Sequence, residues 1–511
     1  MQRAIGELPT EAARRFGAKT ALIHAGSRWS FTELDEASDF LAASLQEMGI
    51  DVGDRVSIYA PNSPEWVIAY YAVLKIGGVV NPLNLMLTPQ EAAYAMNDCG
   101  SVAVLGTIEK IAALLPVREQ TKLRYLIAHG HDAGAPLPIG VLAFEELIVD
   151  GRRLPLSKPP IDGDSISTIG YTSGTTGHPK GAMLTHETIL LNTAMTATMH
   201  VRTERDVVVT ALPCSHVYGN IVMNAAVAHG MTLVLHRTFD AAAVLDSIEE
   251  HRATMFEGVP TMYMYLLGVP DLARRNLSSL TRCTVGGQTM PVVKMEQIEA
   301  ALGCPLLELW GMTELGGLGA THSAYGPRRL GSIGVALPHT QARIASAEEP
   351  TRELPVGEVG ELQMRGPLNM LGYFNRPEAT AEALIAGGWL RTGDLATMTE
   401  DGCITIVDRL KDMVITAGFN IYPAELERVI AEHPDVAMVA VGSVADAEKG
   451  ELAKAYIVLK PGARGDAAAF ERHCREHLAA YKVPRAFAFV ADLPKTSSGK
   501  VMRRHLHQLD T

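Results

Sequence analysis

Short apolar runs recur through the first half of this 511-residue chain and limit what it can become. The clearest are Arg55-Val56-Ser57-Ile58-Tyr59, Val102-Ala103-Val104-Leu105, Val207-Val208-Val209-Thr210 and Thr232-Leu233-Val234-Leu235. Strands of this kind need cover on both faces. The segments between them supply it. Ser30-Phe31-Thr32-Glu33 has capping-box spacing, and Leu34, Ala37, Leu41, Leu45 and Met48 then recur every three or four residues before Gly49. Ala241 to His251 is a second helical stretch. Buried strands alternating with one-stripe helices predict an α/β fold of layered αβ subdomains. The length allows more than one domain at roughly 100–200 residues each.

The texture changes near residue 330. Glu358 to Arg365 and Cys403 to Val407 read as strands divided by turns, fitting a small β-barrel-like part. After a charged stretch, the pattern predicts a helix at 423–433 and strands at 436–441 and 454–459. A helix at 467–480 and a strand at 486–490 complete it. About 100 residues with their own strands and helices can form a separate α+β domain. The boundary is placed at Asp408–Asp412, giving domains 1–408 and 409–511.

Charge and cysteine usage exclude several function classes. Fifty-seven Asp and Glu against 45 Lys and Arg leave −12, so the chain has no overall basic field for nucleic acid. The six cysteines, at 99, 214, 283, 304, 403 and 474, form no CxxC pair and read as separate thiols of a reducing, cytoplasmic compartment. Met1 to Glu7 has no apolar core for a secretory signal, and Arg14-Arg15 lacks the hydrophobic stretch of a twin-arginine signal. The best membrane candidate, Trp66 to Leu74, is far shorter than the roughly 20 residues of a span and ends at Lys75, so stable insertion is not expected.

Tyr171-Thr172-Ser173-Gly174-Thr175-Thr176-Gly177-His178-Pro179-Lys180-Gly181 carries the strongest chemical signal. Glycines let a backbone turn with its N–H groups exposed, hydroxyls add donors and Lys180 adds charge, which are the parts of a phosphate cradle. The spacing is not the Walker form, and by composition alone the run is also an ordinary flexible loop. The whole string resembles the phosphate-binding signature of the adenylate-forming superfamily, which includes acyl-CoA synthetases, luciferases and peptide-synthetase adenylation domains. Five more segments resemble the family's motifs in the family's order. They are Leu212-Pro213-Cys214-Ser215-His216-Val217-Tyr218-Gly219, Glu308-Leu309-Trp310-Gly311-Met312-Thr313-Glu314, Trp389-Leu390-Arg391-Thr392-Gly393-Asp394-Leu395, Asp408-Arg409-Leu410-Lys411-Asp412 and Pro494-Lys495-Thr496-Ser497-Ser498-Gly499-Lys500. They span more than 300 residues in register.

The resemblance implies an adenylation domain over 1–408 and a mobile C-terminal domain over 409–511, with the hinge at Lys411. ATP would be bound by Thr172, Ser173, Gly174, Thr175, Thr176, Gly177, Lys180, Gly287, Gln288, Trp310, Gly311, Met312, Thr313, Asp394 and Arg409. In this scheme Trp310 stacks on adenine, Val285-Gly286-Gly287-Gln288 passes the adenine edge, and Asp394 and Arg409 meet the ribose. Glu314 is a hard oxygen ligand for Mg²⁺ at the phosphates, and Thr313 donates to the α-phosphate. Lys500 compensates charge as pyrophosphate leaves, and with His216, Thr313 and Glu314 it makes the catalytic set. His216 is also a gate and pocket wall; just before it, Ser215 replaces the large apolar or aromatic residue common in relatives. The acyl pocket implied is His216, Val217, Tyr218, Val259, Gly286, Gly287, Gly311, Met312, Leu315 and Gly316. Its small, apolar lining points to a monocarboxylic acid with an apolar body.

The acceptor separates the family's branches. Ile415-Thr416-Ala417-Gly418-Phe419-Asn420-Ile421-Tyr422-Pro423 resembles the stretch lining the pantetheine channel of acyl-CoA synthetases, with Ala417, Gly418 and Phe419 at the CoA channel. Acyl-CoA ligase is therefore the leading reading. An amide ligase, passing the acyl group to an amino acid or amine, would need the same ATP motifs and is the alternative. Phe239-Asp240 resembles a peptide-synthetase feature that acyl-CoA ligases also carry. The chain stops eleven residues after Lys500, so no fused carrier domain is expected. Intact Lys180, Thr313, Glu314, Asp394, Arg409 and Lys500 argue against a sensor without activity. His473-Cys474-Arg475-Glu476-His477 fits the HxxEH pattern of inverted zinc peptidases, and the two imidazoles share a helix face. No distant third ligand is identifiable, so zinc is not expected.

Overall fold

The segment nearest in character to a membrane span forms the middle of a core helix, Pro64–Lys75, in which every residue except Glu65 is buried. Ser63 caps it, accepting the Trp66 N–H at 3.2 Å. The buried ammonium of Lys75 is satisfied by Asp35 at 2.6 Å and Asp39 at 2.5 Å. Among the described residues no helix is long and apolar enough to cross a membrane. The computed structural model describes residues 4–131, 136–172, 179–416, 419–446, 450–496 and 499–510. Helix Phe31–Glu47 begins where the sequence places it, with both halves of the Ser30–Glu33 capping box made.

The apolar runs enter two large, mainly parallel sheets. One has eight strands, in the order Gly372–Tyr373, Lys180–Thr185, Ile166–Thr172, Val79–Pro82, Arg55–Tyr59, Ser101–Thr107, Tyr125–His129 and Val141–Ala143. The other has nine, in the order Val335–Ala336, Gly317–Thr321, Leu306–Met312, Arg282–Gly286, Met255–Gly258, Val207–Thr210, Thr232–Leu235, Thr20–His24 and Ser27–Ser30. Residues of both sheets and of helices Phe31–Glu47, Pro64–Lys75 and Val217–Ala228 share one continuous core. The expected small β part is a five-stranded antiparallel sheet built from Gln341–Ala345, Gly360–Arg365, Leu384–Ile385, Trp389–Met398 and Ile404–Arg409.

A short turn of 3₁₀ helix, Leu410–Asp412, leads from that sheet into the C-terminal part. There a second five-stranded sheet joins Val414–Thr416, Phe419–Ile421, Val436–Asp446, Gly450–Leu459 and Ala486–Phe489. Helices Pro423–Ala431 and Ala467–His477 cover it around a separate core that includes Val414, Leu426, Ile430, Val441, Ile457 and Phe470. Asp408 ties the two parts: one carboxylate oxygen accepts from Arg503 at 2.8 Å, the other from the Ala424 N–H at 2.7 Å. Arg503 also reaches Asp412 at 3.4 Å and Glu427 at 2.7 Å. Both imidazoles of the HxxEH segment donate to backbone carbonyls, His473 to Val429 and His477 to His473, each at 2.8 Å.

Candidate active site

The phosphate-loop candidate follows strand Ile166–Thr172. That strand pairs antiparallel with Lys180–Thr185, and Thr172 lies opposite Lys180. Ser173, Gly174, Thr175, Thr176 and Gly177 lie outside the described residues. The first of these strands is fixed by Tyr171, whose hydroxyl donates to Asp98 at 2.7 Å. Gly170 packs against Thr313 so closely that a Cβ there would come within 2.9 Å of Thr313 Cγ2. The two large sheets therefore meet at this point.

Strand Leu306–Met312 delivers the second group. Trp310 is buried, and its Nε1–H donates to Asp394 Oδ2 at 2.7 Å. Asp394 lies directly across the antiparallel pair from Arg409, whose Nε is 3.4 Å from Oδ1. The carboxylate is thus gripped by an indole and a guanidinium, yet each oxygen keeps lone pairs for further donors. Gly311 faces the returning strand; a Cβ there would stand 2.1 Å from the Gly317 carbonyl oxygen, so no other residue fits. Asn192 pins that return, donating to the Leu315 and Leu318 carbonyls at 3.1 and 2.8 Å.

Glu314 is buried, and its Oε1 accepts from the Tyr373 hydroxyl at 2.7 Å. Burial holds its carboxyl above the usual range against the pull of that bond and of Arg409. Lys180 Nζ lies 5.4 Å from the centre of the Tyr373 ring, so this lysine and the carboxylate share one neighbour. Tyr373 was not among the residues expected from sequence. A lone Gly-Tyr after a turn has no motif to mark it, and its position follows only from the pairing of Gly372–Tyr373 with Ala182 and Met183.

His216 is the N-cap of helix Val217–Ala228. Its Nδ1 accepts the Tyr218 N–H at 3.3 Å, which leaves the ring proton on Nε2. The ring opens onto the cleft, yet protein mass surrounds it; burial, reinforced by Lys500, pushes its pKa down to about 4. At ordinary pH it is a neutral donor. Behind it Tyr218 is buried, with its hydroxyl 2.6 Å from Thr284 Oγ1. Thr284 donates to Glu257 at 2.9 Å, so the Tyr218 hydroxyl must donate to Thr284. Glu257 pairs with Arg202 at 2.8 Å, both side chains wholly buried.

Lys500 arrives from the C-terminal part. Its Cε is 3.5 Å from where a Cβ on Gly287 would stand, and Val259 borders both Gly287 and Gly499. Burial and the nearby Arg409 and Lys411 charges push its pKa down to about 8, opposed by Asp394. The structure thus gathers Lys500, His216, Gly287, Val259, Asp394 and Arg409 around one cleft, with Trp310, Thr313 and Glu314 beside it. The Gln288 side chain is turned to Val501, leaving only its backbone toward the expected adenine edge. Phe419 is not brought in: it is exposed and packs on Tyr481, ring centres 4.8 Å apart. Ala417 and Gly418 lie outside the described residues. A cavity of about 360 Å³ adjoins the Lys500 tip, walled by Asn62, Pro213, Ser215, Phe239, Tyr265 and Gly499 among others.

Comparison with known proteins identifies the family. The model of the AMP-binding enzyme family matches residues 9–374, and that of the AMP-binding enzyme C-terminal domain matches 425–500. A long-chain-fatty-acid–CoA ligase of Bacillus subtilis (strain 168) is 35% identical over 534 residues, covering 100% of this chain and 95% of the relative. An anthranilate CoA ligase, AuaEII, solved with anthranoyl-AMP, superposes with a TM-score of 0.92 at 26% identity, covering 99% of this chain and 98% of that one. The amide bond synthetase McbA of Marinactinospora thermotolerans gives 0.86 at 28% identity, covering 99% and 100%. With both family models matched in order and the relatives aligned over nearly the whole length, this chain belongs to the AMP-binding enzyme family.

Proposed function

We propose that the chain activates an apolar monocarboxylic acid with ATP and passes the acyl group to the thiol of CoA. It is an AMP-forming acid–thiol ligase. The carboxylate attacks the α-phosphorus and pyrophosphate leaves; the thiol then attacks the acyl carbon and AMP leaves. The observation that carries the division of roles is the Lys500 side chain, packed against Gly287 and within electrostatic reach of Asp394, Arg409 and the neutral His216. A cation there offsets charge on the α-phosphate as it is attacked.

Asp394, already fixed by Trp310 and Arg409, accepts from the ribose hydroxyls. Lys180 and residues 173–178 take the phosphates. Glu314 suits Mg²⁺, being a buried hard-oxygen donor beside the strand of Lys180 with one oxygen anchored by Tyr373. The ion, when bound, would neutralise phosphate charge. His216 offers the acid an uncharged N–H. Among His216, Val217, Tyr218, Val259, Gly286, Gly287, Gly311, Met312, Leu315 and Gly316 there is no cation for a second carboxylate, which supports an apolar acid. In the second step the C-terminal domain, 409–511, turns about Lys411 and brings the 415–423 segment over the adenylate, with CoA entering past Ala417, Gly418 and Phe419. The six cysteines, all free and buried, support a reducing, cytoplasmic setting.

The test is mass spectrometry of products from Mg²⁺-ATP and a panel of short, medium and long fatty acids, benzoic and cinnamic acids, and malonate. Three arms carry no acceptor, CoA, or a pool of amino acids. Acyl-CoA and AMP formed only with CoA establish the reading. The likeness to an amide bond synthetase makes the amine arm the necessary rival: N-acyl amino acids formed without CoA would replace this conclusion. Preferred turnover of malonate would refute the apolar pocket.

A further inference from the structure

We infer that Gln288 and Thr261 are positioning residues that pin the residues on either side of Lys500 and so fix the lysine for the adenylation step. The inference rests on the role given to Lys500 above, but not on which acceptor takes the acyl group.

The tip that carries Lys500 is stiffened from within. The Lys500 N–H donates to Thr496 Oγ1 at 3.0 Å, the Thr496 N–H donates to the Lys500 carbonyl at 2.7 Å, and Lys495 bridges to Val501. Among the described residues, two side chains of the large domain hydrogen-bond the backbone on either side of the lysine. Gln288 follows strand Arg282–Gly286, and its Oε1 accepts the Val501 N–H at 3.0 Å while its Nε2 donates to the Val501 carbonyl at 3.4 Å. A side-chain amide carries donor and acceptor in one plane, so it pairs with a single residue's backbone as a neighbouring strand would. On the other side Thr261, in helix Pro260–Leu267, donates its hydroxyl to the Gly499 carbonyl at 2.6 Å. The approach is close: a Cβ on Gly499, whose φ is +82°, would lie 2.9 Å from Thr261 Oγ1. Other polar ties, Tyr265 to Asp492 and Lys294 to the Val436 carbonyl, lie farther along the chain from the lysine.

A group that stabilises a transition state through its charge loses effect when misplaced by about 1 Å. Residues 499 and 501 are both held, so the peptide carrying Lys500 has little freedom. In the thioester step the tip has departed and these bonds contribute nothing. Loosening them therefore impairs the first half-reaction selectively.

The full-length enzyme carrying Gln288→Met or Thr261→Val is assayed with the panel acid giving most product. One assay is acid-dependent exchange of labelled pyrophosphate into ATP; the other is thioester formation from synthetic acyl-adenylate and CoA. Each variant is expected to lower the exchange kcat about tenfold, equivalent to about 1.4 kcal/mol, with the ATP KM moving less than threefold. The loss in exchange should exceed any loss in the thioester step by at least fivefold, at unchanged melting temperature. Gln288→Glu keeps the acceptor and loses the donor, and should fall between wild type and Gln288→Met. The double variant should lose less than the product of the single losses, because both side chains hold one tip. Equal loss in both half-reactions, a change confined to the ATP KM, or unimpaired exchange in both variants overturns the inference. A wild type without acid-dependent exchange refutes the ligase reading itself, whereas exchange that neither variant weakens refutes the pinning alone.

Discussion

The rate of acyl-adenylate formation should fall as pH rises through about 8. In the proposed role Lys500 acts as a cation, and its surroundings push its pKa from 10.5 to about 8, chiefly by burial and then by Arg409. That displacement amounts to about 3 kcal/mol against the ammonium form. In the free enzyme the lysine is then about nine-tenths protonated at pH 7 and about one-tenth at pH 9, so kcat/KM for ATP should drop roughly tenfold across that interval. Bound ATP adds negative charge beside the ammonium and raises its pKa, so the same limb in kcat should appear at higher pH. The assay is acid-dependent pyrophosphate exchange at fixed ionic strength from pH 6 to 10, beside thioester formation from supplied acyl-adenylate. Lys500→Arg, whose charge persists, should keep a reduced rate but lose the alkaline limb. A limb of equal size in the thioester step, or its persistence in Lys500→Arg, would refute the reasoning.

Three further outcomes follow from the geometry. Tyr373→Phe removes a hydrogen bond to a buried carboxylate, a loss of about 1.5–3 kcal/mol; the half-saturating Mg²⁺ or the exchange rate should worsen roughly ten- to a hundredfold while folding survives. Arg202→Met leaves Glu257 buried without its cation and should cost about 3–5 kcal/mol of stability in denaturant melts, much of it restored by adding Glu257→Leu; additive losses would show that the pair is not the source. Gly311→Ala forces a methyl against the Gly317 carbonyl and should lower stability by about 1–3 kcal/mol or more, along with ATP affinity, both read by thermal shift with and without nucleotide.

What was legible in the sequence was whatever local chemistry encodes. Ser30, Glu33 and Gly49 marked a helix because caps and stops act within a few residues. The motif residues Asp394, Arg409, Trp310 and Lys500 were legible because each sits in a string with neighbours of fixed type. Strand Val436–Asp446 runs past the expected 441 because its end, 444–446, pairs with 450–452 as a ribbon outside the core, where apolar patterning stops but hydrogen bonding continues. Helix Ala467–His477 ends before the expected 480 because Leu478 turns extended, with its N–H still bonded to the Cys474 carbonyl. Tyr373, Asn192 and Thr261 were invisible for a different reason. Each is one residue of ordinary type whose task is done on a partner far away in sequence: Thr261 and Gly499 are 238 residues apart, Asn192 and Leu318 126 apart.

The fastening at Asp408 has a consequence for timing. This carboxylate belongs to the last strand of the large part, yet it satisfies Arg503 and the Ala424 N–H of the small one. If the proposed turn at Lys411 leaves Asp408 behind, it separates a largely buried ion pair and strips the start of helix Pro423–Ala431 of an acceptor. In that proposal the joint would wait and then snap, and the interval between the two half-reactions would be set in part by a threshold at the linker, away from the atoms whose bonds change.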